Sequence, residues 1–190
     1  MRVFVAVDIT PQVRSAVAAL AERLRAATHD DRRFRWVRSE GMHVTLKFIG
    51  ESPPEKVENI RAALAGVRLG EPVEMRFRGT GFFPNERRAR VFWAGIEFTP
   101  NLAGLAGEVE TRLEKLGIAR ETRDFKPHLT LARIEEGAPV PALVAASKQE
   151  GAAEFGTVRT TEMHLYQSVL KPTGAEYMRL QTFTFAGAAA

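Results

Sequence analysis

The chain has 190 residues with a net charge of +4, 45% hydrophobic and 26% charged residues, and no cysteine. That balance belongs to a folded globular protein and excludes disorder, while the missing thiols exclude disulfides, thiolate metal sites and a cysteine nucleophile. No stretch approaches the roughly 18 apolar residues of a membrane span. The opening apolar run, broken by Asp8, is too short for a signal peptide, so the chain is read as cytoplasmic.

Residues 2–7 read as a strand. Thr10-Pro11 then supplies an N-cap and a first-turn proline, and Val13, Val17, Leu20 and Leu24 recur at helical spacing. Two strands follow over 34–37 and 42–49, separated by a turn at Ser39-Glu40-Gly41. Ser52-Pro53-Pro54-Glu55 has capping-box spacing with proline at the first helical position, and Val57, Ile60 and Leu64 line one face of the helix behind it. Strands over 72–82 and 89–98 flank the turn-forming Phe83-Pro84-Asn85-Glu86, which makes a hairpin whose tip carries Arg87, Arg88 and Arg90.

From there the order repeats. A strand at 91–96 leads into Thr99-Pro100 and a helix lined by Leu102, Leu105, Val109, Leu113 and Leu116, ended by Gly117. The offset between the two Thr-Pro pairs nearly equals that between His43 and His128, which points to an internal duplication. A further helix over 140–149 and strands over 155–169 and 176–185, turning at Lys171-Pro172-Thr173-Gly174, complete the second half, and residues 187–190 read as a frayed tail. The expectation is one domain, 1–190, built from halves of roughly 1–88 and 89–190.

Two of the four histidines sit in one pattern, His43-Val44-Thr45-Leu46 and His128-Leu129-Thr130-Leu131. Strand alternation puts His43, Thr45 and Lys47 on one face and Val44, Leu46 and Phe48 on the other, with His128 and Thr130 set the same way. If the halves are related by a pseudo-two-fold, the two imidazoles oppose one another across a groove. Such a pair suits in-line transfer at phosphorus: one ring takes a proton from water, the other protonates the leaving alkoxide, and the threonine hydroxyls donate to non-bridging oxygens. The scheme calls for no metal and no cofactor. A structural histidine and a zinc ligand are the competing readings; the second copy weighs against the first, and the lack of ligand-spaced Cys, Asp or Glu near the two histidines weighs against the second. His29 reads as solvated. His164 reads as structural although its parity would let it reach the groove, Tyr177 stays open, and Phe48, Phe82, Phe83 and Trp93 are available aromatics, most of them read as core.

These motifs, in the contexts Met42-His43-Val44-Thr45-Leu46-Lys47-Phe48-Ile49-Gly50-Glu51 and Phe125-Lys126-Pro127-His128-Leu129-Thr130-Leu131-Ala132-Arg133, closely resemble the 2H phosphoesterase superfamily. Within it the chain is similar to the bacterial and archaeal RNA 2',3'-cyclic phosphodiesterases, formerly called 2'-5' RNA ligases. The resemblance implies an α+β fold of two pseudo-symmetric lobes, each an antiparallel sheet with helices on its outer face, around a central groove. It implies hydrolysis of RNA or nucleotide 2',3'-cyclic phosphate ends to 2'-phosphomonoesters, with joining of RNA halves through a 2'-5' linkage as a related activity. It assigns His43 as proton donor, His128 as proton acceptor, and Thr45, Thr130 and Arg133 to the phosphate. The residues alone leave donor and acceptor interchangeable, and strict alternation places Arg133 on the face opposite His128 unless a bulge intervenes. The expected partner is an RNA or oligonucleotide with a cyclic phosphate end, bound by a monomer. The alternative is an RNA-binding module of the same fold without turnover.

Overall fold

The computed structural model describes residues 1–97, 99–171 and 174–187. In chain order the elements are β1 (Arg2–Val7), α1 (Pro11–Ala27), β2 (Phe34–Trp36), β3 (Val44–Glu51), α2 (Pro54–Leu64), β4 (Val73–Phe83), β5 (Val91–Ile96), α3 (Pro100–Glu114), β6 (His128–Ile134), α4 (Val140–Gln149), β7 (Glu154–Thr160), β8 (Glu162–Lys171) and β9 (Gly174–Thr184). The Thr10 and Thr99 hydroxyls accept from the backbone N–H groups of Val13 and Leu102, so both Thr-Pro pairs start helices as expected. Ser52 does not cap α2. Pro53 occupies the cap position, and the ring of Pro54 bars it from helical backbone, which leaves the buried Ser52 Oγ without a partner among the described residues.

All pairings are antiparallel, in two sheets ordered β3-β1-β8-β9 and β2-β6-β5-β4-β7. With β2 set aside, the two orders correspond, β3-β1 to β6-β5 and β8-β9 to β4-β7. The expected strand at 155–169 is therefore two strands, broken at Thr161, that enter different sheets. Each sheet draws on both halves of the chain: β4 leaves the first half to pair with β5, and β8 and β9 leave the second to pair with β1. The expected turn through Pro172-Thr173 and the tail at 188–190 lie outside the described residues.

One face of each sheet feeds a single apolar core, where α1 lies against β7 and α4, α2 pairs with α3, and α3 spans β3 of one sheet and β4 of the other. The stripe Val13, Val17, Leu20 and Leu24 is fully buried, each side chain contributing about 2 kcal/mol of transfer free energy. The close seat of α1 on β7 needs Gly156, where a Cβ would come 3.2 Å from Val13 on a backbone with φ +114. The other faces are turned away from this core. Phe4, Ala6 and Tyr166 form a small separate cluster there, with Tyr177 packed on it.

Candidate active site

β3 and β6 approach one another across the two sheets, and each carries a bulge at the leucine of its His-x-Thr-Leu. Thr45 pairs with Ala6 and Lys47 with Val5, so Leu46 is the extra residue. In β6, Thr130 pairs with Trp93 and Ala132 with Phe92, so Leu131 is extra. One inserted residue inverts alternation beyond it. Lys47 is consequently not beside His43 and Thr45: it turns into the core, 6% exposed, ion-paired to Glu110 of α3 at 2.8 Å and donating to the Ala119 carbonyl at 2.7 Å. Phe48 turns the other way, 51% exposed, with the Arg2 guanidinium 5.0 Å above its ring. In β6 the same inversion buries Leu131 and Ala132 together and returns Arg133 to the face of His128 and Thr130.

β3 and β6, which carry the two histidines, come into contact, and the Arg133 charge reaches both imidazoles. Each ring is aimed by the backbone carbonyl two residues upstream. His128 Nδ1 lies 2.8 Å from the Lys126 oxygen, and the His43 ring is hydrogen-bonded to the Gly41 backbone. A carbonyl only accepts, so Nδ1 of His128 carries the proton and Nε2 is left for chemistry. The short 3₁₀ turn Ser39–Gly41 delivers the Gly41 carbonyl, and Arg14 of α1 holds that turn by donating to the Ser39 carbonyl. Neither Thr45 nor Thr130 makes a side-chain hydrogen bond among the described residues, so both hydroxyls are available to a ligand.

Aromatic rings surround the pair. Phe4 stacks on His43 at 4.7 Å, Tyr177 meets it edge-on at 4.9 Å and Tyr166 lies beyond at 6.1 Å. Phe83 meets His128 edge-on at 4.9 Å, with Trp93 at 6.4 Å from it and 5.0 Å from Phe83. Phe82 is core. Trp93 owes its place to Gly81, since a Cβ there would come 2.2 Å from the indole ring. Phe4 escaped sequence reading because β1 read as a plain buried strand, while Tyr166 shared the face of His164 that could reach the groove but was given no role. The signal for Phe4 was that it stands before Thr10-Pro11 much as Trp93 stands before Thr99-Pro100.

Burial lowers both histidines. His43 is pushed down to about 4, with the charges of Arg14 and Arg133 adding to burial while the Gly41 hydrogen bond and the Asp8 carboxylate oppose it. His128 is lowered by burial and Arg133, opposed by the Lys126 carbonyl. Asp8 is held by Tyr166, whose hydroxyl donates to Oδ1 at 2.6 Å, and by the Arg179 guanidinium. His164 itself is buried, 3.6 Å from the same carboxylate and 3.0 Å from the Thr182 hydroxyl, so it joins the polar network around Asp8. His29 is in an exposed loop. Among the described residues no three His, Cys, Asp or Glu side chains converge as a metal-ligating set, and no helix is long and apolar enough to cross a membrane.

The family model for LigT-like phosphoesterases matches residues 7–93 and again 96–177. An RNA 2',3'-cyclic phosphodiesterase of Archaeoglobus fulgidus is 34% identical over 96% of this chain and 99% of its own, and one of Thermus thermophilus is 36% identical over 98% and 91%. A crystal structure from Thermus thermophilus superposes with a TM-score of 0.78 at 33% identity, covering 97% of this chain and 98% of that one. The Escherichia coli LigT crystal structure complexed with 3'-AMP has the same fold, with a TM-score of 0.75 at 24% identity over 97% of each chain. With paired His-x-Thr-Leu strands on two exchanged antiparallel sheets, this chain belongs to the LigT-like, 2H phosphoesterase family.

Proposed function

We propose that the protein hydrolyses 2',3'-cyclic phosphate ends of RNA to 2'-phosphomonoesters, acting as a cytoplasmic monomer. The observation that carries this reading is the pair of imidazoles, each aimed by a carbonyl two residues upstream, set together under the charge of Arg133. His128 takes a proton from water as its oxygen attacks phosphorus, and His43 gives a proton to the 3' oxygen as the P–O3' bond breaks. Thr45, Thr130 and Arg133 hold the non-bridging oxygens, where charge grows in the transition state. The donor and acceptor roles follow the family resemblance; the Asp8 carboxylate favours the protonated His43 ring against the larger effect of burial. The bound phosphate, itself anionic, favours protonation at the same site.

The test is turnover of a short RNA ending in a 2',3'-cyclic phosphate, with excess chelator, by the wild type, His43→Ala and His128→Ala. A 2'-phosphate product, with loss of at least a hundredfold in each variant, is expected. Turnover indifferent to the histidines, or RNA binding without turnover in the wild type, would return the chain to the RNA-binding reading.

A further inference from the structure

Loop 84–90, between β4 and β5, carries two cations that neither the fold nor the chemistry uses. The loop shapes itself: Asn85 Oδ1 accepts from the backbone N–H groups of Arg87 and Arg88 at 3.0 and 3.1 Å, and Arg90 N–H donates to the Phe83 carbonyl at 2.7 Å. Ala89 is buried beneath it. Its one carboxylate, Glu86, is taken by Lys148 at 2.8 Å, and Arg90 is taken by Glu136 at 3.0 Å. Arg87 and Arg88 are exposed, and their side chains make no hydrogen bond or ion pair among the described residues. Elsewhere arginines are mostly held by carboxylates, as Arg23 is by Glu150, Arg25 by Asp30 and Arg112 by Glu108.

The position of the loop gives these free charges a meaning. It leaves β4 at Phe83, whose ring packs on His128, and enters β5 at Val91, which pairs with Arg133. The Arg90 carbonyl accepts from Ile134, so the loop borders the Arg133 end of β6. Arg133 is likewise exposed and without a carboxylate partner among the described residues. Two guanidinium groups without carboxylate partners among the described residues thus stand on the loop that joins the strand ends beside His128 and Arg133. Exposed cations without carboxylate partners are free to exchange counterions for phosphates of a polyanion.

We propose that loop 84–90 is a docking surface for the sugar-phosphate backbone of an RNA strand, with Arg87 and Arg88 taking phosphates beyond the terminal cyclic one. The substrate is then a polynucleotide end in preference to a mononucleotide. This rests on the function proposed above.

The test uses the double variant Arg87→Ala/Arg88→Ala with two substrates, a mononucleoside 2',3'-cyclic phosphate and a 12-residue RNA with the same end. Binding of a fluorescent 12-residue RNA ending in a 2'-phosphate is measured across a salt series. Mononucleotide kcat/KM should be unchanged, which also shows the variant folded, while the RNA loses about tenfold in KM and in affinity. The slope of log affinity against log salt should shrink by about 1.4, two contacts at about 0.7 each. Arg87→Lys/Arg88→Lys should restore both. Equal loss on both substrates, no loss on either, or an unchanged salt slope would overturn the proposal. A wild type that turns over neither substrate would count against the proposed function alone, because the binding series still decides the loop.

Discussion

At the scale of single residues, His43 and His128 share three influences, burial, an upstream carbonyl and arginine charge, and His43 alone has a fourth, Asp8. Lowered values mean that the neutral rings dominate the free protein at neutral pH. The working form, one ring protonated and one neutral, is therefore most populated on the acid side of the ordinary histidine range near 6.5. The bell-shaped kcat/KM profile, which reports the pair rather than either ring, should centre below that value, and the kcat profile should lie higher because the bound phosphate favours protonation. Arg133→Gln removes a charge that lowers both rings, so its kcat/KM bell moves to higher pH while activity falls about a hundredfold. Asp8→Asn removes a charge that raises His43, so its bell moves to lower pH. Rate profiles of the two variants that shift in the same direction would sink this account.

At the scale of elements, two one-residue bulges decide what the site contains. Without the bulge at Leu131, Arg133 would point into the core, and without the one at Leu46, Lys47 would stand beside Thr45. Instead Lys47 anchors β3 to α3 through Glu110, almost out of water. Glu110→Ala should cost about 3 kcal/mol in urea unfolding, because it strands a buried ammonium, whereas Lys47→Met/Glu110→Leu should recover most of that. Equal losses in the single and double variants would refute a paired role. The β4–β5 register matters in the same way. Gly81→Ala should displace Trp93 and, through Phe83, the ring of His128, lowering kcat about tenfold with little change in thermal midpoint. An unaltered kcat would show that the indole does not position the histidine.

At the scale of the whole molecule, the corresponding strand orders of the two sheets suit a duplication in which each half lends strands to the other. Neither half can close a sheet alone: β1 and β3 need β8, and β4 needs β5. Fragments 1–88 and 89–190 should each be largely unfolded by circular dichroism, and mixing them should restore β-sheet signal; a folded isolated fragment would show that the exchange is dispensable.

The sequence by itself determined most of the elements and the family to which the chain belongs. Thr-Pro starts, apolar stripes and the twice-written His-x-Thr-Leu are local patterns, and local backbone preference and side-chain chemistry act on them directly. Only the tertiary structure decided that β7 and β8 part company, that Ser52 yields the cap to Pro53, and that Lys47 exchanges faces with Phe48. It also decided that Phe4 and Tyr166 enclose His43. Each of these depends on which strand lies alongside and in what register, and a single unpaired residue such as Leu46 or Leu131 reverses the faces that follow it, up to any further bulge, without leaving a mark in the chain.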